Sequence, residues 1–156
     1  MKTATLKDLL VADDPLQCEA PRDFDRDATL PRIRALQPAL ERLTGLAFQL
    51  DDRVQDASFF ADLSAVDPVE RELPTGGRAI ETFIGVRFSA FDDLFTIWNA
   101  SSVRPLTDEE RSRVAELVSS AGFLYAPPEL LELPYTGNNL PLHHLRDWWL
   151  RFFDYL

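Results

Sequence analysis

The two histidines of the chain, His143 and His144, stand side by side, with Asp147 following at helical spacing. Imidazole and carboxylate at that spacing can hold a metal ion or move a proton. Neighbouring positions on a helix point about 100° apart, so the two rings cannot clasp one ion. Either ring with Asp147 supplies two ligands, and a zinc site takes three or four. Glu129 or Glu132 would have to complete the set. As a general base, either histidine needs a nucleophile within hydrogen-bond reach, and none is marked by spacing. The nearby PYTGNN stretch, Pro134–Asn139, adds Tyr135 and turn-forming Gly and Asn. A ligand pocket or hydrolase-like site at Tyr135, His143, His144 and Asp147 is therefore one functional expectation.

The carboxylates offer less chemistry. Asp23, Asp25 and Asp27 form a D-x-D-x-D string like the start of a calcium loop. The loop's sixth position needs Gly and holds Ala28, and its twelfth needs Glu and holds Arg34. Cys18 is the only cysteine, so no internal disulfide and no Cys-based zinc site can form. The chain contains no G-x-S-x-G, no G-x-x-x-x-G-K-[ST] and no G-x-G-x-x-G. Gly76-Gly77-Arg78 lacks the surroundings of a phosphate loop and reads as a hairpin or loop device. The sequence implies no catalytic residue, no metal and no cofactor.

Charge points elsewhere. The formal net charge is −10 over 156 residues. A nucleic-acid binder needs a clustered basic face, and an anionic membrane surface repels an acidic chain. No run approaches the roughly 18 apolar residues of a membrane span. The short LLVA stretch near the N-terminus is below the length of a signal-peptide core. The expectation is a soluble protein of a reducing cytoplasm that binds neither nucleic acid nor membrane. An acidic surface does attract and steer a basic protein.

The elements that must position these groups read as α+β. LPRIRALQPALERLTG places Ile33, Leu36, Leu40 and Leu43 on one helical face, with Thr29 as a candidate cap and Gly45 as a stop. Pro38 predicts a kink or a late start. LAFQL and the Ala57–Leu63 stretch alternate with period two and predict a hairpin around DDRVQD. Ile80, Thr82, Ile84, Val86, Phe88 and Ala90 predict a third strand, and LFTIWNA a fourth after Asp92-Asp93. VDPVERELPTGG between the hairpins reads as a loop. Thr107 and Glu110 form a capping box for a helix over TDEERSRVAELVSSAG, which Gly122 closes. Residues 1–29 read as an irregular arm with a short helical stretch, Thr5–Leu10.

The chain ends in LRDWWLRFFDYL. On a helical wheel its aromatics fill one arc of about 160°, with Asp147, Arg151 and Asp154 opposite. This predicts an amphipathic final helix, capped at Asn138 or Asn139 with Pro141 in its first turn. The expected architecture is one α+β domain with a four-stranded, mainly antiparallel sheet and packing helices.

Two functional classes follow. One is the small-ligand binder or enzyme around His143 and His144. The favoured one is a non-catalytic, acidic protein-binding module. Its contacts are Asp51, Asp52, Asp56, Asp92 and Asp93 on predicted turns, with Tyr135 and Trp148 as aromatic contacts. In composition alone, a small acidic α+β chain of this kind resembles the immunity and inhibitor proteins of bacterial toxin systems. That resemblance implies a basic protein partner and assigns no residue. A third expectation, a structural subunit, requires an exposed aromatic patch on the final helix.

Overall fold

The computed structural model describes residues 1–66, 71–72, 78–79, 82–100 and 105–155. Of the expected loop at 66–77, residues 67–70 and 73–77 lie outside that set, as do Ile80 and Leu156, while its described Val66, Arg71 and Glu72 are in strands rather than loop.

Capping chemistry begins each of the three longer helices. Thr5 accepts from the Asp8 amide and Asp8 answers at Thr5, which starts α1 at Leu6–Ala12. Asp25 caps α2, Arg26–Thr44, so this helix begins before the expected Thr29 and turns one member of the acidic string into a structural residue. Pro38 causes no break: α2 runs on past it, and it lies on the exposed face. The buried stripe is Ile33, Leu36 and Leu40. Gly45, at φ +74°, closes the helix. Thr107 caps α3, Asp108–Ser120, through the expected box with Glu110, and Gly122 sits at φ +91°.

The strands are β1 (Phe48–Asp51), β2 (Phe59–Val66), β3 (Arg71–Glu72), β4 (Arg78–Ala79), β5 (Thr82–Ser89), β6 (Leu94–Trp98) and β7 (Leu124–Tyr125). The main sheet has the order β1-β2-β5-β6-β7, with β3 and β4 forming a separate ribbon. It therefore has five strands where four were expected. The two hairpins hold, and β2 and β5 join them antiparallel, Leu63 opposite Val86. The added strand, β7, runs parallel to β6 after the α3 crossover. Short helices follow: α4 (Pro128–Leu131), a 3-10 turn at Leu140–Leu142, and α5 (Trp148–Phe153).

Both edges of the sheet are engaged. On β1, the Phe48 carbonyl accepts from Gln37 Nε2 at 2.8 Å and its amide donates to Glu41 Oε1 at 3.2 Å. On β7, the Ala4 amide donates to the Tyr125 carbonyl at 2.7 Å. Neither edge is thus a bare row of unpaired backbone groups.

One face of the sheet packs α2 and α3 over Val86, Phe88, Phe95 and Ile97. The other carries a charged and aromatic layer. Arg87 pairs with Asp62 at 3.0 Å, donates to the Phe153 carbonyl, and lies over the Phe59 ring at 4.0 Å. The Trp98 indole covers Gly85 so closely that an added Cβ would come within 2.2 Å of it. Burial raises the Asp62 carboxyl pKa, while the Arg87 guanidinium opposes the shift.

The final helix is shorter than the wheel predicts. Asp147 caps it, accepting from the Leu150 amide at 3.0 Å, rather than Asn138 or Asn139. Trp148, Phe152 and Phe153 are buried in the core. Arg151, expected on the polar face, is fully buried as well. Its Nε donates to Asp13 Oδ1 at 2.6 Å, and both side chains are 0 % exposed. Its remaining donors meet the Cys18, Gln17 and Asp14 carbonyls. Asp13 Oδ2 accepts from the Tyr135 hydroxyl and from the Asn138 and Asn139 amides. The N-terminal arm is thereby tied to the C-terminal segment. Among the described residues, no helix is long and apolar enough to cross a membrane.

Candidate functional site

Strand direction decides which turns meet. β1 enters its turn at Asp51, β2 leaves it at Phe59, and Phe59 lies opposite Ser89 at the end of β5. The β1–β2 turn and the β5–β6 turn therefore emerge at the same end of the sheet. This places Asp51, Asp52, Asp56, Asp92 and Asp93 at one end of the sheet. The lead-in to α2 joins them: Phe24 packs edge-on against Phe60 at 4.7 Å, and Arg26 donates to the Asp52 carbonyl.

The five aspartates do different work there. Asp52 pairs with Arg34 at 2.7 Å, and that hydrogen bond holds its carboxyl below the ordinary range. Asp93 accepts both contacts of the Arg32 Nη1, at 3.0 and 3.1 Å, while Arg32 Nη2 donates to the Ala121 carbonyl. These two pairs fasten the turns to α2. Asp51, Asp56 and Asp92 are exposed and make no ion pair among the described residues. Asp51 instead accepts from the Arg53 amide at 3.0 Å, a turn-forming bond. Asp56, Asp92 and Asp93 have φ of +54°, +48° and +53°, a left-handed region that Asp and Asn tolerate better than most residues.

Asp92 carries the electrostatic signature of the site. Partial burial, then the charges of Asp23 and Asp93, push its carboxyl pKa above the ordinary value, although Lys2 and Lys7 line the groove beside it. The unfolded chain ionises this group at the usual value of 3.8, so native stability falls as pH rises from there through the raised native pKa. Asp92→Asn removes the repulsion and keeps the turn geometry. It is expected to raise the melting temperature at pH 7, with the gain shrinking to nothing below pH 3.8 in a thermal scan series.

The aromatic contacts expected from sequence are placed differently. Tyr135 is buried, with its hydroxyl pKa pushed up to about 12 by burial and by the Asp13 hydrogen bond and charge. Trp148 is 0 % exposed. The hydroxyl donor and the large ring were each claimed by the core, so neither is available at the surface. An exposed aromatic side chain at the acidic end is Tyr155, 63 % exposed, which bridges to Ala57 and packs edge-on against Phe59 at 5.3 Å. Sequence reasoning missed Tyr155 and Asp23 as members of this end. The wheel put Tyr155 in the apolar arc of the final helix, but the helix ends at Phe153.

His143 and His144 are exposed and do not converge with Asp147. Their rings bond the Gly137 carbonyl at 3.0 Å and the Pro141 carbonyl at 2.9 Å. Asp147 is spent on the α5 cap and on Arg146 at 2.7 Å. Gly137 has no room for a side chain against Asp13 and Tyr135, so this loop is a packed structural turn. Among the described residues, no three His, Cys, Asp or Glu side chains are grouped to hold a metal. Comparisons with known proteins return no match to a family model, a curated protein or a solved structure.

Proposed function

We propose that the chain is a non-catalytic, acidic protein-binding module that docks a basic protein partner at the end of the sheet bearing its two aspartate turns. The observation that carries this reading is that exposed Asp51, Asp56 and Asp92 emerge at one end of the sheet, where burial and then the charges of Asp23 and Asp93 raise the Asp92 pKa. A cationic surface brought against this end offsets the mutual repulsion of Asp92, Asp23 and Asp93. Tyr155 stands beside the β1–β2 turn as an amphipathic contact. Inhibition of a basic enzyme, in the manner of an immunity protein, is the activity that fits such a surface. The end is carried on a packed sheet with its turns fastened by two arginine pairs, which keeps the ordering cost of binding low.

The test is affinity co-purification from the native host at low and at moderate salt, read by mass spectrometry. The variant carrying Asp51→Asn, Asp56→Asn and Asp92→Asn serves as the control. Each Asn keeps the turn conformation and removes one charge. The expected result is a stoichiometric basic partner with the wild type, depleted at the higher salt and absent with the variant. Equal recovery by both proteins, or no partner at low salt, goes against the reading.

A further inference from the structure

At the opposite end of the sheet from the acidic turns, where β6 finishes at Trp98, a groove of about 500 Å³ opens between β6, α4 and the starts of α3 and α5. Its chemistry differs from that of the acidic end. Two half-buried tryptophans, Trp98 and Trp149, line it together with Arg111 and Arg146. Trp98 is held in place by contact with Gly85 and by its Nε1, which donates to Asp62 at 3.4 Å. Arg146 spends its Nε on Asp147 and is otherwise exposed, its side chain 82 % accessible. Arg111 spends one Nη on the Ile97 carbonyl at 3.4 Å. It also lies against the buried Tyr125 hydroxyl.

We infer that this groove is a binding site for a flat aromatic carboxylate, with the ring against the Trp98 and Trp149 indoles and the carboxylate on Arg111 and Arg146. Indole faces take flat rings by stacking, and a guanidinium presents a planar fork that matches a carboxylate. The two requirements fall in one groove. Glu132 and Asp147 on its wall narrow the choice. They repel a second negative charge, which favours a monocarboxylate over a phosphate dianion. The inference is independent of the acidic end and of any protein partner there.

The test is a titration of the full chain, followed through the indole N–H resonances of its three tryptophans. The probes are 2-naphthoate and its neutral counterpart 2-naphthalenemethanol. With 2-naphthoate, the Trp98 and Trp149 signals are expected to shift and saturate while buried Trp148 stays in place. The alcohol should bind about tenfold more weakly, because it cannot make the charge-assisted bonds. Arg146→Gln and Arg111→Gln should each remove most of that difference, and an unmoved Trp148 signal certifies the fold. A chain terminus ending in an aromatic residue carries the same chemistry, so N-acetyltryptophan is the third probe. If it binds more tightly than 2-naphthoate, the groove takes peptide termini; if more weakly, it takes small molecules. Unsaturable shifts, equal affinity for acid and alcohol, or unchanged binding in both arginine variants overturns the site.

Discussion

Arg151→Met is expected to cost the fold about 3–5 kcal/mol, the size seen when one partner of a buried ion pair is removed. The substitution keeps much of the side-chain volume, so a cavity contributes little. What it leaves behind is the Asp13 carboxylate, fully buried, without the cation 2.6 Å away. It also strips donors from the Cys18 and Gln17 carbonyls. Asp13→Asn should cost less, since an amide oxygen still accepts from Tyr135 and the Asn138 and Asn139 amides. The Asp13→Asn/Arg151→Met double variant should lose less than the sum of the two, because it no longer buries a lone charge. Urea unfolding midpoints measure all three. A loss below about 1 kcal/mol for Arg151→Met, the value of an exposed pair, contradicts the buried latch.

Trp148→Ala is expected to cost a similar amount, about 3–5 kcal/mol, as a large-to-small change in a packed core. The indole stacks on Phe152 at 5.7 Å and meets Tyr135 edge-on at 4.8 Å. Half-buried Trp149 offers the contrast: its truncation should cost clearly less. The pair separates two views of the aromatic C-terminus. If Trp148 were an interface residue, its removal would spare the unfolding midpoint and weaken partner binding. The core position predicts the reverse for the isolated protein, read as loss of near-ultraviolet dichroism and a lower midpoint.

Much of the architecture was legible because local patterns decide it. The Thr107–Glu110 box, the Gly45 stop and the period-two runs flanking two aspartate turns need only near neighbours. The features that sequence did not show depend on distance. β7 is two residues long and owes its place to β6 alongside it and Ala4 on its far side. Arg151 looked like a polar-face residue because its partner lies 138 positions away. The same holds for the site. Five aspartates could be marked as turn residues, but their emergence at one end of the sheet depends on β2 pairing with β5. The division into fastened Asp52 and Asp93 and unpaired Asp51, Asp56 and Asp92 depends on where α2 sets Arg34 and Arg32. Tyr135 and Trp148 were misplaced for a related reason: an aromatic near a flexible loop reads the same whether it faces solvent or core.

The central claim, that the aspartate turns steer a basic partner, is tested most directly by association kinetics against ionic strength. Stopped-flow rates would be taken with the captured partner from about 0.02 to about 0.5 M salt, a range over which the screening length shrinks several-fold. The wild-type association rate should fall by about tenfold or more, with dissociation changing far less. The Asp51→Asn/Asp56→Asn/Asp92→Asn variant should start slower and show a flatter slope. If variant and wild type fall on the same line, the acidic end does not steer the encounter, and the docking face lies elsewhere on the molecule.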